Sequence, residues 1–249
     1  MIRRLLAVLI IVVGLAGVAL AVLSDAVTTE DRGSTTHPGP IRAVEVDVDA
    51  GRVDVVGSAD PEAKVDRVRH YLHGAPTISE TVSEGVLRLR TDCPRFVALQ
   101  CRVDVRVQVP VGAAVQVRTG NGDVSVDGMK NTVDVTTSSG AVRLTRDAGP
   151  VKVVTSAGSI DAVDLTSPSL DASTDAGRIR MSLAEPAARV DLRTHAGSID
   201  LALPDAPGGY RVTTNKGAGK AKVTVAQDPT SPRAITARTG AGSIRIRPR

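Results

Sequence analysis

The sequence predicts an all-β chain: a parallel β-helix or β-solenoid of roughly 18–20-residue repeats, preceded by one N-terminal transmembrane helix. Three observations carry this. A twelve-residue pattern, apolar-x-apolar-x-Thr-x-x-Gly-x-apolar-x-apolar, recurs through the second half, and successive glycines from 122 to 197 lie 18 to 20 residues apart. Within each copy apolar and polar residues alternate strictly, which is the period-2 signature of a half-buried strand. Residues 5–23 form an unbroken run of uncharged, almost wholly apolar positions, and about 20 such residues span a bilayer as a helix.

In chain order, residues 1–4 are a cytoplasmic stub and 5–23 the membrane span. Arg3 and Arg4 before the span, with Asp25, Glu30 and Asp31 after it, place the N-terminus in the cytoplasm and the remaining chain outside. A cleaved signal peptide ending near Ala19-Leu20-Ala21 is the competing reading. The apolar run is long against the roughly 7–15 residues usual for a signal peptide, which favours an uncleaved, single-pass anchor in the cell membrane. Residues 24–40 are polar, with two prolines and no apolar periodicity, and read as a flexible linker. Residues 41–249 form the solenoid domain, with regular repeats over 115–249. Cys93 and Cys101 are the only cysteines. In an exported chain such a pair favours a disulfide, closing one loop between strands over 86–90 and 103–109. Their spacing is not Cys-x-x-Cys, so redox catalysis fits poorly.

Each repeat reads as strand, glycine turn, strand and a longer return loop. The turns centre on Gly122, Gly140, Gly158, Gly177, Gly197 and Gly242, with a less regular copy at Gly219. Glycine supplies the positive φ expected of a tight turn. One unit cannot bury its own apolar face, but stacked units form a continuous core, here with Ile160 and Ile179 pointing inward. Seven coils would make a rod about 30 Å long. Three residues before each regular glycine stands a threonine: Thr119, Thr137, Thr155, Thr174, Thr194 and Thr239. Their hydroxyls are expected to bond either along the stack or to the turn backbone. A catalytic role would require a recurring base, and none recurs.

Three residues after each glycine the side chain points outward: Ser125, Arg143, Asp161, Arg180, Asp200, Lys222 and Arg245. Acid and base alternate from Arg143 to Lys222, and the pattern fails where Lys222 meets Arg245. In a parallel stack these would be nearest neighbours with opposite charges side by side. The row reads as a surface ion ladder of about 0.2–1 kcal/mol per contact in preference to a charged recognition strip.

The repeated Thr-x-x-Gly turns carry a family resemblance together with Asp92-Cys93-Pro94-Arg95, Cys101-x-Val103-Asp104, Val107-Gln108-Val109-Pro110-Val111-Gly112 and the ending Ile244-Arg245-Ile246-Arg247-Pro248-Arg249. The chain resembles a family of candidate adhesins, bacterial surface β-solenoids of unknown function, in their membrane-anchored actinobacterial form. The resemblance covers about residues 41–249. It implies a parallel β-helix-like fold, with Val44–Val53 as the opening strand pair and Gly51 as a further turn glycine. In many relatives the turn reads Thr-Gly-Ser-Gly-Asp. Here only Asp123 keeps that acid, which removes the basis for a calcium ladder.

No catalytic constellation stands out. Paired carboxylates across a cleft, as a glycosidase needs, are not evident, because the acids are spread along the repeat faces. Of the four histidines, which include His37, His195 occupies a variable turn position also filled by Ser156 and Asp175, and His70 with His73 reads as surface loop. Gly122, Gly128 and Lys130 fall short of a phosphate loop, and neither Gly-x-Ser-x-Gly nor His-Glu-x-x-His occurs. The expectation is therefore a non-enzyme without cofactor or metal. Aromatics are nearly absent and bases are mixed with acids within a net charge of +4, so nucleic acid is not expected as partner. The favoured function is a membrane-anchored surface interaction or adhesin-like module that meets a cell-wall polymer or another surface protein. The alternative is an exported sensor or scaffold in an envelope-stress system. With about four cytoplasmic residues it would signal only through a membrane partner.

Overall fold

The computed structural model describes residues 29–72, 74–94 and 101–249; the expected stub at 1–4 and span at 5–23 lie outside the described residues. Among the described residues every regular element is a strand, and no helix there is long and apolar enough to cross a membrane.

The first part of the chain forms β1 (Thr29–His37), β2 (Ala43–Ala50), β3 (Val53–Ser58), β4 (Ala63–Tyr71), β5 (Thr77–Ser83), β6 (Val86–Asp92) and β7 (Arg102–Pro110). The repeats then give one strand on each side of every glycine turn. These pairs are β8 (Ala114–Asn121) with β9 (Val124–Asp127), β10 (Val133–Ser139) with β11 (Val142–Thr145), and β12 (Val151–Ala157) with β13 (Ile160–Leu165). They continue as β14 (Ser169–Ala176) with β15 (Ile179–Leu183), and β16 (Arg189–Ala196) with β17 (Ile199–Leu203). The last are β18 (Arg211–Ala218) with β19 (Ala221–Val223), and β20 (Ala234–Ala241) with β21 (Ile244–Pro248).

One sheet has eleven strands in the order β1-β4-β7-β3-β9-β11-β13-β15-β17-β21-β19. The other has ten, in the order β18-β20-β16-β14-β12-β10-β8-β2-β6-β5. The strands from β7 to β19 and from β6 to β18 run parallel, so nine coils stack in register where the spacing predicts seven. The two extra coils, β2–β3 and β6–β7, lack the full Thr-x-x-Gly spacing and so escape a count based on it. Alternation works as expected: Val133, Val135, Val142, Leu144, Ile160 and Ile179 are buried between the sheets, while the residues beside them face water.

The linker expected over 24–40 is corrected by β1. Residues Thr29–His37 pair antiparallel with β4 along their whole length, and β5 pairs antiparallel with β6. This strand hides from a hydropathy reading because it closes the end of the core with polar groups. Asp31 lies opposite Arg69 and ion-pairs with it. Glu80 on β5 holds both Arg67 on β4 and His37 on β1, the latter at 2.9 Å from Nε2. Terminal units of a stack need such a polar closure, since no further coil covers them.

The coil order is the second correction. β17 is followed in space by β21 and only then by β19, so the last two coils are exchanged relative to sequence. The inward positions explain it. β20 and β21 offer Ile235, Ala237, Thr239, Ile244 and Ile246, all buried. β18 offers Val212 and Thr214, half-buried, and then Lys216, exposed. A coil with lysine at a core register is tolerated only where one side is open. Tyr210 helps the chain step across, filling the core with its hydroxyl donating to the Pro204 carbonyl at 2.7 Å.

The turn glycines serve close approach as much as dihedral freedom. A Cβ at Gly158 or Gly177 would sit 1.9 Å from the carbonyl oxygen of the glycine one coil back, although neither has positive φ. Gly122, Gly140, Gly197, Gly219 and Gly242 combine the same clash with φ between 135° and 158°, and a Cβ at Gly51, with φ 136°, would meet the Val103 carbonyl oxygen at 2.1 Å.

Candidate functional site

The inward threonines form one unbroken row, each the Cα partner of the next from Thr119 to Thr239. All are buried. Thr174, Thr194 and Thr239 donate to the carbonyls of Gly158, Gly177 and Gly197, at 3.1, 3.2 and 2.9 Å. Thr137 donates instead to Ser139, while the hydroxyls of Thr119 and Thr155 have no partner. The row ends on Lys216, opposite Thr239. It joins coils and reaches no substrate-accessible space.

Cys93 and Cys101 are bonded to each other, closing the connection from β6 to β7. Beside Cys101, an open hollow of about 620 Å³ runs along the turns at Gly51 and Gly122. Its carboxylates are committed to the backbone. Asp104 accepts from Arg52 N at 2.9 Å, and Asp123 from Ala141 N at 2.9 Å. Asp123 is thus a turn-binding acid.

The outward row exists and is longer than the repeats predict. Through Cα pairing it runs Asp66, Arg106, Asp54, Ser125, Arg143, Asp161, Arg180, Asp200, Arg245, Lys222. Because the last coils are exchanged, Asp200 lies beside Arg245, and alternation holds as far as Arg245 instead of Lys222. Contacts are loose: Arg180 to Asp161 is 3.6 Å, Arg245 to Asp200 3.9 Å, and Arg143 turns to Asp123 at 3.9 Å. These groups are about one-quarter to two-thirds exposed, so each pair contributes little.

The opposite sheet holds a tighter cluster that the sequence does not reveal. Asp134, Asp171 and Asp191 occupy equivalent positions, but only Asp191 is buried, its side chain 6% exposed. Arg193 bonds it from the same strand, Arg238 from β20 at 3.2 Å, and Arg189 approaches to 3.8 Å. Three long side chains roof one carboxylate, an ion network joining β16 to β20. Asp147 is a second buried acid, in the return loop between β11 and β12. Its Oδ1 accepts from Met129 N at 2.8 Å, and its Oδ2 has no partner. Burial, reinforced by the nearby charge of Asp127, pushes its carboxyl up to about 7. His70, expected on a loop, lies in β4 with Nε2 3.5 Å from Asp104. His195 bonds Asp175 at the surface. Among the described residues no three His, Cys, Asp or Glu side chains gather as a metal site.

Bases and acids are not mixed evenly along the stack. Residues 29–205 hold 25 acids and 20 Lys or Arg, whereas 206–249 hold nine Lys or Arg and a single acid, Asp228. The last two coils therefore form a basic end. The excess was countable in the sequence, but only the fold gathers it at one pole.

Residues 102–247, more than half of the chain, match the family described as Toastrack DUF4097. A comparison with curated proteins gives no match. Among solved structures, a candidate cell adhesion protein of Clostridium sporogenes aligns at 11% identity over 89% of this chain and all of its own, with a TM-score of 0.41. A candidate adhesin of Bacteroides fragilis aligns at 16% identity over 88% of this chain and 97% of its own, with a TM-score of 0.45. A third, from Parabacteroides distasonis, aligns at 10% identity over 88% of this chain and 96% of its own, at 0.32. At those scores they carry no inference to this chain. The family match begins within β7 and spans every regular coil: the chain belongs to the Toastrack DUF4097 family.

Proposed function

We propose that this chain is a non-catalytic surface module, held at the cell membrane by residues 5–23 and projecting its stacked sheets into the envelope to meet a polymer or protein there. One observation carries the reading. The space between the sheets is filled by aliphatic side chains, and the ionised groups are arranged in rows and clusters on the outer faces and ends. Such a body offers a partner a long, rigid, charged surface in place of an enclosed cleft. Interaction surfaces of this kind are the ordinary use of solenoids.

The test is sedimentation of the purified full-length chain, in neutral detergent, with isolated envelope material. Retention that weakens as salt rises is expected, since charged surfaces are screened. A chain that stays in the supernatant at physiological salt would contradict the reading.

A further inference from the structure

We propose that the terminal turn of the stack, Lys216 to Lys222, is a binding site for a linear phosphate-bearing polymer. This deepens the surface-module reading by naming a ligand chemistry and a place for it.

β18 and β19 are the outermost strands of their sheets, and β19 lies ten strands from β1, about 48 Å away. The turn between them carries a lysine at three registered positions, where no other regular turn carries more than two cations. Lys216 stands in line with the buried threonines. Lys220 lies at the level of Ser243, where Ile244 N donates to its carbonyl at 2.9 Å. Lys222 extends the outward row beside Arg245 without an acid between them. All three lysines are exposed, and among the described residues none makes an ion pair. Elsewhere in the row Arg143, Arg180 and Arg245 each have an acid within 4 Å. Here the charge is left for a partner.

The backbone adds donors. Each turn glycine gives its N–H to the following coil, Gly197 to Ala241 and Gly242 to Ala218, both at 2.8 Å. Gly219 and Ala221 belong to the last coil, so their N–H groups face outward between the lysines. Edge carbonyls face out as well, so the sign of the site is set by the side chains. Lysine is a compact point charge suited to phosphate. Stacking of bases would call for aromatics, yet Tyr210 is buried with its hydroxyl bonded. Insertion into a lipid surface would call for exposed apolar side chains, and Val82, Val154 and Val163 all lie away from this turn. A flexible polymer recognised by charge is the ligand that remains.

The experiment compares the full-length chain with Lys216→Thr/Lys220→Ser/Lys222→Ser, which installs residues that other coils carry at the same positions and should fold. A second triple, Lys130→Ser/Lys152→Ser/Arg178→Ser, removes the same charge elsewhere. Fluorescent inorganic polyphosphate and poly(glycerol phosphate) are titrated and read by anisotropy across a salt series, with unchanged melting as the folding check. The first triple should lose about tenfold or more in affinity and flatten the salt slope by about two, while the second loses under about twofold. Tighter binding of one polymer than the other assigns the source of the phosphate. Equal losses in both triples would overturn the site. So would preferential binding to duplex DNA. Unchanged affinity with new edge-to-edge oligomers would also overturn it, and would mean that the lysines only keep the sheet edge unpaired. If neither polymer binds while envelope material still sediments with the chain, this proposal falls and the surface-module reading stands.

Discussion

At Gly158 an added methyl group would meet the carbonyl oxygen of Gly140 at 1.9 Å, a distance no side chain tolerates. The stack thus brings backbones together at the turn, and the cost of a Cβ there is steric. Gly158→Ala should destabilise the domain by about 2–4 kcal/mol in urea melts, well beyond the loss from dihedral freedom alone. Gly112, which has nothing within 4 Å of an added Cβ and no positive φ, is the control. Gly112→Ala should be neutral or slightly stabilising; equal effects at the two sites would refute the packing account. Asp147 gives a pH dependence. The folded chain keeps a proton up to about pH 7, while the ordinary value is 3.8. This residue's contribution is therefore full below about pH 4 and is lost as pH rises through about 7, an effect on the order of 2–4 kcal/mol. Asp147→Asn should match wild type in urea melts at pH 4 and be more stable at pH 8. The same pH slope in both proteins would show that the carboxyl ionises freely. The repeat pattern made the turn glycines and threonines legible. Asp147 was not legible, because it lies in a return loop where no periodic neighbour signals that its side chain turns inward.

The strands of the outer row carry a coupled set of weak contacts. Arg143, Asp161 and Arg180 are successive Cα partners, so Asp161→Lys puts three cations side by side at about 4.8 Å steps. The expected loss is about 1 kcal/mol, larger at low salt because these groups are exposed and screened. Adding Arg143→Asp and Arg180→Asp should recover most of it, as read by thermal melts at two ionic strengths. No response in either variant would mean that the row is not held in register. At this scale the sequence was informative where strands repeat and silent where they do not. Alternation along β10 to β17 predicts register because one face is buried, and a one-residue slip would expose it. β1 escapes the same reading, since its inward partners are Arg67 and Arg69 and its role is to close the core. The burial of Asp191 escapes it too, because it depends on long side chains arriving from two strands.

For the whole molecule, the order of coils decides what the ends present. A continuous thread through the repeats would leave Arg245 terminal and enclose Lys216 between two coils. The observed exchange instead puts the apolar residues of β20 and β21 inside and the lysine-bearing turn at the pole. Sequence spacing could not reveal this, because both coils obey the alternation and only the cost of burying Lys216 separates the two orders. A cysteine trap tests the arrangement most directly. Ser198 and Ser243 lie in adjacent coils with hydroxyl oxygens 3.2 Å apart, and Cα atoms about 4.8 Å apart are within reach of a disulfide. Lys220 is one coil further on, at about twice that spacing. The pair Ser198→Cys/Ser243→Cys should oxidise to a new intramolecular bond, seen as a mass loss and a raised melting temperature, while Ser198→Cys/Lys220→Cys stays reduced. The reverse result would restore the sequential order and remove the lysine turn from the end of the stack.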